Sequence, residues 1–192
     1  MLHSSIITGM KKVYNIGIYE KGIYDTVKDK KAYTVWKNIL QRCYDEKTLN
    51  RFPSYKGCAI CSDWIYFQTF AKWFYQNYIE GYTIDKDILG NGKLYSPDNC
   101  CFVPNHINNL LHENLHIKSG MKSGVTMQDG RYRVRVNTID KKKKHIGYFD
   151  TEIDAYEAYK IAKYKAICDA VKYYNINEKI SNAIKAKYNE NI

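Results

Sequence analysis

Proline is scarce, 3 in 192 residues, and no window approaches the roughly 18 uninterrupted apolar residues of a membrane-spanning helix. Met1 to Gly9 hold no basic stretch followed by a long apolar run, so no leader or anchor is expected there, and a soluble cytoplasmic protein is the expectation. No Gly-rich phosphate loop, GxSxG elbow or GxGxxG fingerprint occurs, which leaves nucleotide-driven, acyl-transfer and dinucleotide chemistry without support. Disorder is excluded by what is abundant: 45% of residues are hydrophobic, 15% aromatic, and 19 are tyrosines. Six cysteines could staple a secreted fold, but a chain with this much core material does not need stapling, and reduced thiols are expected.

The charge is +10, from 30 Lys+Arg against 20 Asp+Glu, and it is concentrated. Residues 1–117 carry 14 basic and 11 acidic side chains, and 150–192 carry seven of each. Between them, 118–149 hold nine basic residues against Asp129 and Asp140. A local basic stripe beside a balanced remainder is the footprint of a polyanion binder, and without an amphipathic basic helix it points to nucleic acid rather than a membrane surface.

Residues 12–29 show no sustained period and read as an irregular arm. Tyr33, Trp36, Leu40 and Tyr44 recur at helical spacing, as do Trp64, Phe67, Phe70, Phe74 and Tyr78, predicting two helices joined by a connection over 50–56. A strand over 82–88, a turn-rich stretch, a strand over 100–103 and a helix opening at Pro104 follow. After joint residues near Lys118, Arg131 to Val136 alternates cleanly, which puts three arginines on one strand face and Tyr132, Val134 and Val136 on the other. Residues 145–149 read as the partner strand. Thr151 then opens a helix striped by Ala155, Ala158, Ala162 and Ala166. Asn175 and Glu178, at capping-box spacing, open a last helix.

Gly124-Val125, Arg131 to Val134 and His145 to Glu152, with the alanine-spaced helix behind them, resemble the Apetala-type (ethylene-response-factor) DNA-binding domain over about 50 residues. That resemblance implies a three-stranded antiparallel sheet packed on one helix, with Arg131, Arg133 and Arg135 facing the major groove. Arginine can fork two hydrogen bonds to a guanine edge, whereas Lys141, Lys142, Lys143 and Lys144 have the chemistry of phosphate contact. The tryptophans that plant members carry on these strands are missing here, so no base preference transfers. The competing reading is a solvated cationic face.

Trp36 to Tyr44, Tyr55 to Cys61 ahead of Trp64 and Phe67, Ile84 to Leu89, and Tyr95 to Cys100 ahead of Phe102-Val103 resemble, in order, the bacteriophage HNH homing-endonuclease-like proteins. The resemblance spans roughly residues 30–111. It implies an α+β protein. An HNH (ββα-metal)-like domain with flanking helices occupies 31–117, an Apetala-type domain 118–175 and a C-terminal helix 176–192, after an irregular arm over 1–30. It also implies phosphodiester hydrolysis of double-stranded DNA with one divalent ion, Mg²⁺ or Mn²⁺. Twelve residues separate Lys86 from Asn99, eight separate Asn99 from Asn108 and three separate Asn108 from His112. This follows the family's H, N, H, x3, H frame. On that frame Asp85, Asn108 and His112 would hold the metal, Lys86 would stabilise the phosphate and Asn99 would orient the loop.

The departure is Lys86, which stands where the family has its water-activating histidine. A lysine near its ordinary pKa donates protons rather than taking them, so Asp87, His106 or a metal-bound hydroxide would have to serve as base. The rival reading makes Asp85, Lys86 and Asp87 an inert strand of a degenerate nuclease that binds DNA without cutting it. Arg42, in an Arg-Cys-Tyr motif shared with that family, is open between phosphate contact and capping of helix carbonyls. Cys58 and Cys61 form half of a zinc site that Cys43 and Cys100 would have to complete; without a second CxxC, core thiols are the simpler expectation. RNA binding is disfavoured because A-form major grooves are too narrow for a strand-borne arginine row.

Overall fold

A computed structural model describes residues 11–111, 120–140 and 142–189. The fold is mixed α+β, with six helices and a three-stranded antiparallel sheet among the described residues. No described helix is long and apolar enough to cross a membrane. The contacts divide the chain into two units, Met1–Glu80 with Ile84–Phe102, and Gly81–Thr83 with Val103–Ile192. The division falls ahead of the joint expected near Lys118.

The first unit opens with order where an irregular arm was expected. Lys11–Val13 (β1) pairs antiparallel with Gly17–Tyr19 (β2) across a turn in which Tyr14 and Asn15 both take positive φ. Gly17 lies so close to α1, Lys30–Tyr44, that a Cβ there would overlap Leu40 Cδ1 and sit 2.8 Å from Trp36 Cζ2. The chain after β2 is clasped by one side chain. Gln68 Nε2 donates to the carbonyls of Glu20 (3.1 Å) and Tyr24 (2.8 Å), and its Oε1 accepts from Tyr24 N at 3.1 Å. Three-residue strands are too short to show a period, which is why the pattern is silent there.

Helix α1 buries Ala32, Trp36, Ile39, Leu40 and Cys43; of the positions its spacing marks, Trp36 and Leu40 are buried and Tyr33 and Tyr44 half-buried. The expected connection over 50–56 is partly helical. Glu46–Arg51 (α2) is capped by Asp45, whose Oδ2 accepts from Thr48 N at 2.9 Å and Thr48 Oγ1 at 2.7 Å. Ala59–Ile60 (β3) follows, and Trp64 sits in a 3₁₀ turn, Asp63–Ile65, ahead of α3, Phe67–Asn77. Trp64, Phe70, Trp73, Phe74, Tyr78 and Phe102 form a chain of ring contacts with centroids 4.5–6.2 Å apart. Trp36 Nε1 donates to Trp64 O at 2.7 Å and ties α1 to the 3₁₀ turn.

Tyr82–Asp85 (β4) pairs with Cys101–Pro104 (β6), and the short Leu94–Tyr95 (β5) pairs in parallel with β3. Pro104 ends β6 rather than opening a helix; α4 begins one residue later, Asn105–Leu111.

In the second unit Val125–Gln128 (β7), Arg131–Asn137 (β8) and Lys143–Phe149 (β9) form an antiparallel sheet in that order. Asp129 (φ 50°) and Gly130 (φ 77°) make the two-residue turn between β7 and β8, with the backbone twist that suits a tight hairpin. One face packs on α5, Glu152–Tyr173, around Val125, Val134, Val136, Ala155, Tyr159 and Ala166. Ala158 is only half-buried; Tyr159 carries the stripe instead. Thr151 caps α5 as its sequence predicts, Oγ1 accepting from Asp154 N at 3.1 Å. The last helix, Glu178–Asn189 (α6), is capped by Asn177 rather than Asn175: Asn177 Oδ1 accepts from Ile180 N at 3.0 Å, while Asn175 sits at φ 48°.

Candidate functional site

The sheet's outer face is set by register. Residues directly opposite in an antiparallel ladder share a face. Arg131 lies opposite Gln128, Arg133 opposite Thr126 and Tyr148, and Arg135 opposite His145, while Val134 faces Val125 and Gly147 on the helix side. Between Val134 and Arg135 the register with β9 shifts, which leaves Ile146 as an extra residue that packs into the core.

Two of the arginines are held in place. Arg131 Nε donates to Asp150 Oδ1 at 3.1 Å and its terminal nitrogen to Tyr148 O at 3.2 Å. Arg133 donates to Gln128 Oε1 at 2.5 Å, and its buried Nε has no partner among the described residues. The lysine run divides. Lys143 pairs with Asn137 on the arginine side, whereas Lys144 lies opposite Val136 and lines the margin of a cavity against α5. Lys142 is exposed and 3.8 Å from Asp140, in the turn that Thr138 N closes by donating to Lys142 O. Lys141 lies outside the described residues. The three described lysines therefore do not share one face; Lys144 departs from the arginine face because the strand alternates.

In the first unit, Asp85, Lys86 and Asp87 lie at the end of β4, where the strand turns. Asp85 is 6% exposed, and its Oδ1 accepts from Asp87 N at 2.7 Å and Ile88 N at 2.8 Å, closing that turn. Lys86 is buried. Its Nζ meets both carboxylate oxygens of Asp87, at 3.0 and 3.1 Å, and lies 5.5 Å from the Tyr95 ring centroid and 6.0 Å from that of Tyr55. Arg42 joins the same cluster, 5.6 Å from the Tyr55 centroid and hydrogen-bonded to Tyr95. Burial drives the Tyr95 hydroxyl well above its ordinary pKa. A lysine so enclosed is directed at its own carboxylate and two rings, so the expected role of Lys86 on a phosphate conflicts with its placement.

Asn99 holds the loop before β6, its Nδ2 donating to Leu94 O at 3.2 Å and its N to Ser96 Oγ at 3.3 Å. Asn108 and His106 lie on α4 in the second unit. Asn108 Oδ1 and His106 Nε2 are buried, and neither has a hydrogen-bond partner among the described residues. His112, the expected third ligand, lies outside the described residues.

Among the described residues no three His, Cys, Asp or Glu come together as a group that could hold an ion. Of the set expected for Mg²⁺ or Mn²⁺, Asp85 Oδ1 is engaged in its turn, Asn108 Oδ1 is buried without a hydrogen-bond partner among the described residues, and His112 is not described. Cys43, Cys58, Cys61 and Cys100 are free thiols. Burial pushes the Cys43 thiol up to about 12 and raises that of Cys100 as well, so both are neutral thiols in the core at neutral pH.

The sequence reading missed Gln128, Tyr148 and Asp150, which position the arginine row. The signal for Gln128 is the Asp129-Gly130 dipeptide, which fixes the hairpin and so names the residue opposite Arg131. No family model, no curated protein and no solved structure matches this chain.

Proposed function

We propose that this protein binds duplex DNA through the outer face of β7–β9 and that its central segment, around residues 31–117, is an HNH-like endonuclease domain acting on the DNA so held. The observation that carries the reading is the alternation of Arg131, Arg133 and Arg135 on a strand whose other face is core. Arginines two residues apart on a strand are about 6.7 Å apart, close to twice the 3.4 Å rise of a DNA strand. A strand laid along a groove therefore offers one guanidinium to every second base pair. Asp150 and Gln128 hold two of the three forks before binding, which lowers the ordering cost on contact.

For the chemical step, a divalent ion in the HNH-like segment would act as Lewis acid and lower the pKa of its water. Of the residues that would hold it, Asp85 and Asn108 are described and His112 is not. Asn99 fixes the loop before β6, and the Asn108 oxygen is the open acceptor. A second reading, a DNA-binding protein without catalysis on a degenerate nuclease fold, is favoured by the Lys86–Asp87 pair, which ties up the residue standing in the base position.

Purified protein is incubated with supercoiled plasmid and Mg²⁺ or Mn²⁺, and binding to a labelled duplex is followed by anisotropy between about 50 and 200 mM salt, over which affinity falls by orders of magnitude if several phosphates are neutralised. Arg133→Ala weakens preference among sequences, whereas Lys143→Ala weakens all sequences alike. Nicking that is lost in Asn108→Ala with binding retained supports cutting; an intact plasmid with salt-sensitive binding leaves the second reading. A flat salt response refutes both.

A further inference from the structure

Helices α1 and α2 enclose an open groove of about 650 Å³ in the first unit, and its chemistry differs from that of the arginine strand. Three cations line it, Arg42, Lys47 and Arg51, against one acid, Asp45. The Asp45 carboxylate is turned onto Thr48, capping α2. None of the three cations forms an ion pair among the described residues, unlike Lys31, Lys86, Arg131, Lys142 and Lys160. The groove therefore carries a net positive charge, three cations against the Asp45 carboxylate, which lies near Lys47.

The same groove carries rings. Phe52 is 46% exposed, the Arg51 guanidinium lies 5.1 Å from its centroid, and Tyr55 meets it edge-on at 6.4 Å. Helix α2 buries no side chain at all, so packing in the core does not account for Lys47 and Arg51 on it. An exposed aromatic face bordered by unpaired guanidinium and ammonium groups combines the two elements that bind unpaired nucleotides: stacking for a base and charge for its phosphate. Paired bases inside a duplex cannot offer a free face to Phe52.

We propose that the α1–α2 groove binds a nucleotide unit whose base is unpaired, stacking it on Phe52 with its phosphate between Arg51, Lys47 and Arg42. The occupant is a single-stranded stretch of nucleic acid or a free nucleotide, which share this chemistry. The proposal stands apart from duplex binding by β7–β9, since it involves other residues in another unit.

The test uses the full chain and a short fluorescein-labelled oligothymidylate, read by anisotropy beside a duplex of the same length. Phe52→Ala weakens single-strand binding by roughly 5- to 150-fold, the range for removing one stacked base, and Arg51→Ala lowers the magnitude of the salt slope by about 0.7. Both changes leave duplex binding close to wild type, whereas Arg133→Ala does the reverse, so failure of either site is seen separately. Both residues are exposed, and far-UV ellipticity checks that the fold is kept. Displacement by thymidine monophosphate at equal nucleotide concentration assigns the groove to free nucleotides, and displacement only by the strand assigns it to nucleic acid. Unchanged single-strand affinity in both variants overturns the proposal, as does an equal loss on duplex and single strand.

Discussion

Gly124, at the entrance to β7, is where a single added methyl group tests the packing of the unit that carries β7–β9. Its φ is +75°, and a Cβ built there would overlap the ring of Tyr159, itself buried in the core of the sheet and α5. The left-handed conformation costs an L-residue about 1–2 kcal/mol, and forcing a methyl into a packed site costs about 1–3 kcal/mol, so Gly124→Ala should destabilise the unit by about 2–5 kcal/mol. Gly130 supplies the control. It has φ +77° with no atom within 4 Å of a built Cβ, so Gly130→Ala isolates the conformational part, about 1–2 kcal/mol. All three tryptophans, Trp36, Trp64 and Trp73, lie in the first unit and do not report on this site, so the readout is far-UV ellipticity in urea. Gly124 O also accepts from Arg135 N at 3.1 Å, and duplex affinity should therefore drop with the stability. Equal losses in the two variants would refute the Tyr159 contact, and a loss below about 0.5 kcal/mol in Gly124→Ala would refute the placement of β7 itself.

Two further outcomes follow from the first unit. Asp87→Asn leaves the Lys86 ammonium buried without its carboxylate and should cost about 1–3 kcal/mol, below the usual range for breaking a buried pair because Asp87 is 42% exposed. Lys86→Met, which removes the buried charge, should cost less, and the reverse order in urea midpoints would contradict the pairing. Burial raises the Cys43 and Cys100 thiols, so the folded chain holds protons that the unfolded chain releases above the ordinary thiol pKa of about 8.5. Stability is full below that pH and should fall on raising it, by up to about 1.4 kcal/mol per pH unit for each thiol, until the folded pKa is reached. A urea midpoint in reductant that stays level from pH 7 to 10 would refute this, and half-buried Cys61 and Cys168 should react with a thiol reagent before the other two.

Where a period was long enough, the elements were legible. The alternation over 131–136 set the faces of β8 because one face meets Tyr159 and Ala166 and the other meets none of the core. Trp36, Leu40 and their neighbours marked α1 for the same reason. What stayed hidden depends on contacts distant in sequence. The hairpin over 11–19 is held by Trp36 and Leu40, and the chain after it by Gln68, 44 and 48 residues from the backbone groups it bonds. Asn175 failed as a cap because the turn after α5 needs positive φ there, which moves the cap to Asn177.

The central site shows the limit most clearly. Spacing from Lys86 through Asn99 to Asn108 fixes which residues share a frame, but not what each oxygen and nitrogen touches. Asp85 is buried at the end of β4, yet its Oδ1 serves two backbone amides of its own turn. Lys86, between two carboxylates in sequence, brings its ammonium to both carboxylate oxygens of Asp87. Lys86 was expected to stabilise a phosphate. Two tyrosine rings and a carboxylate close over it instead, since an ammonium that must be buried lowers its desolvation cost by taking a partner and aromatic faces. Cutting, if this chain performs it, then depends on a base other than Lys86, and Asp87 can serve only by giving up the ion pair. A plasmid assay on Lys86→His separates the cases. Recovered or increased nicking would mean that the remaining frame is intact and only the base is missing, whereas no nicking in either protein would favour the reading without catalysis.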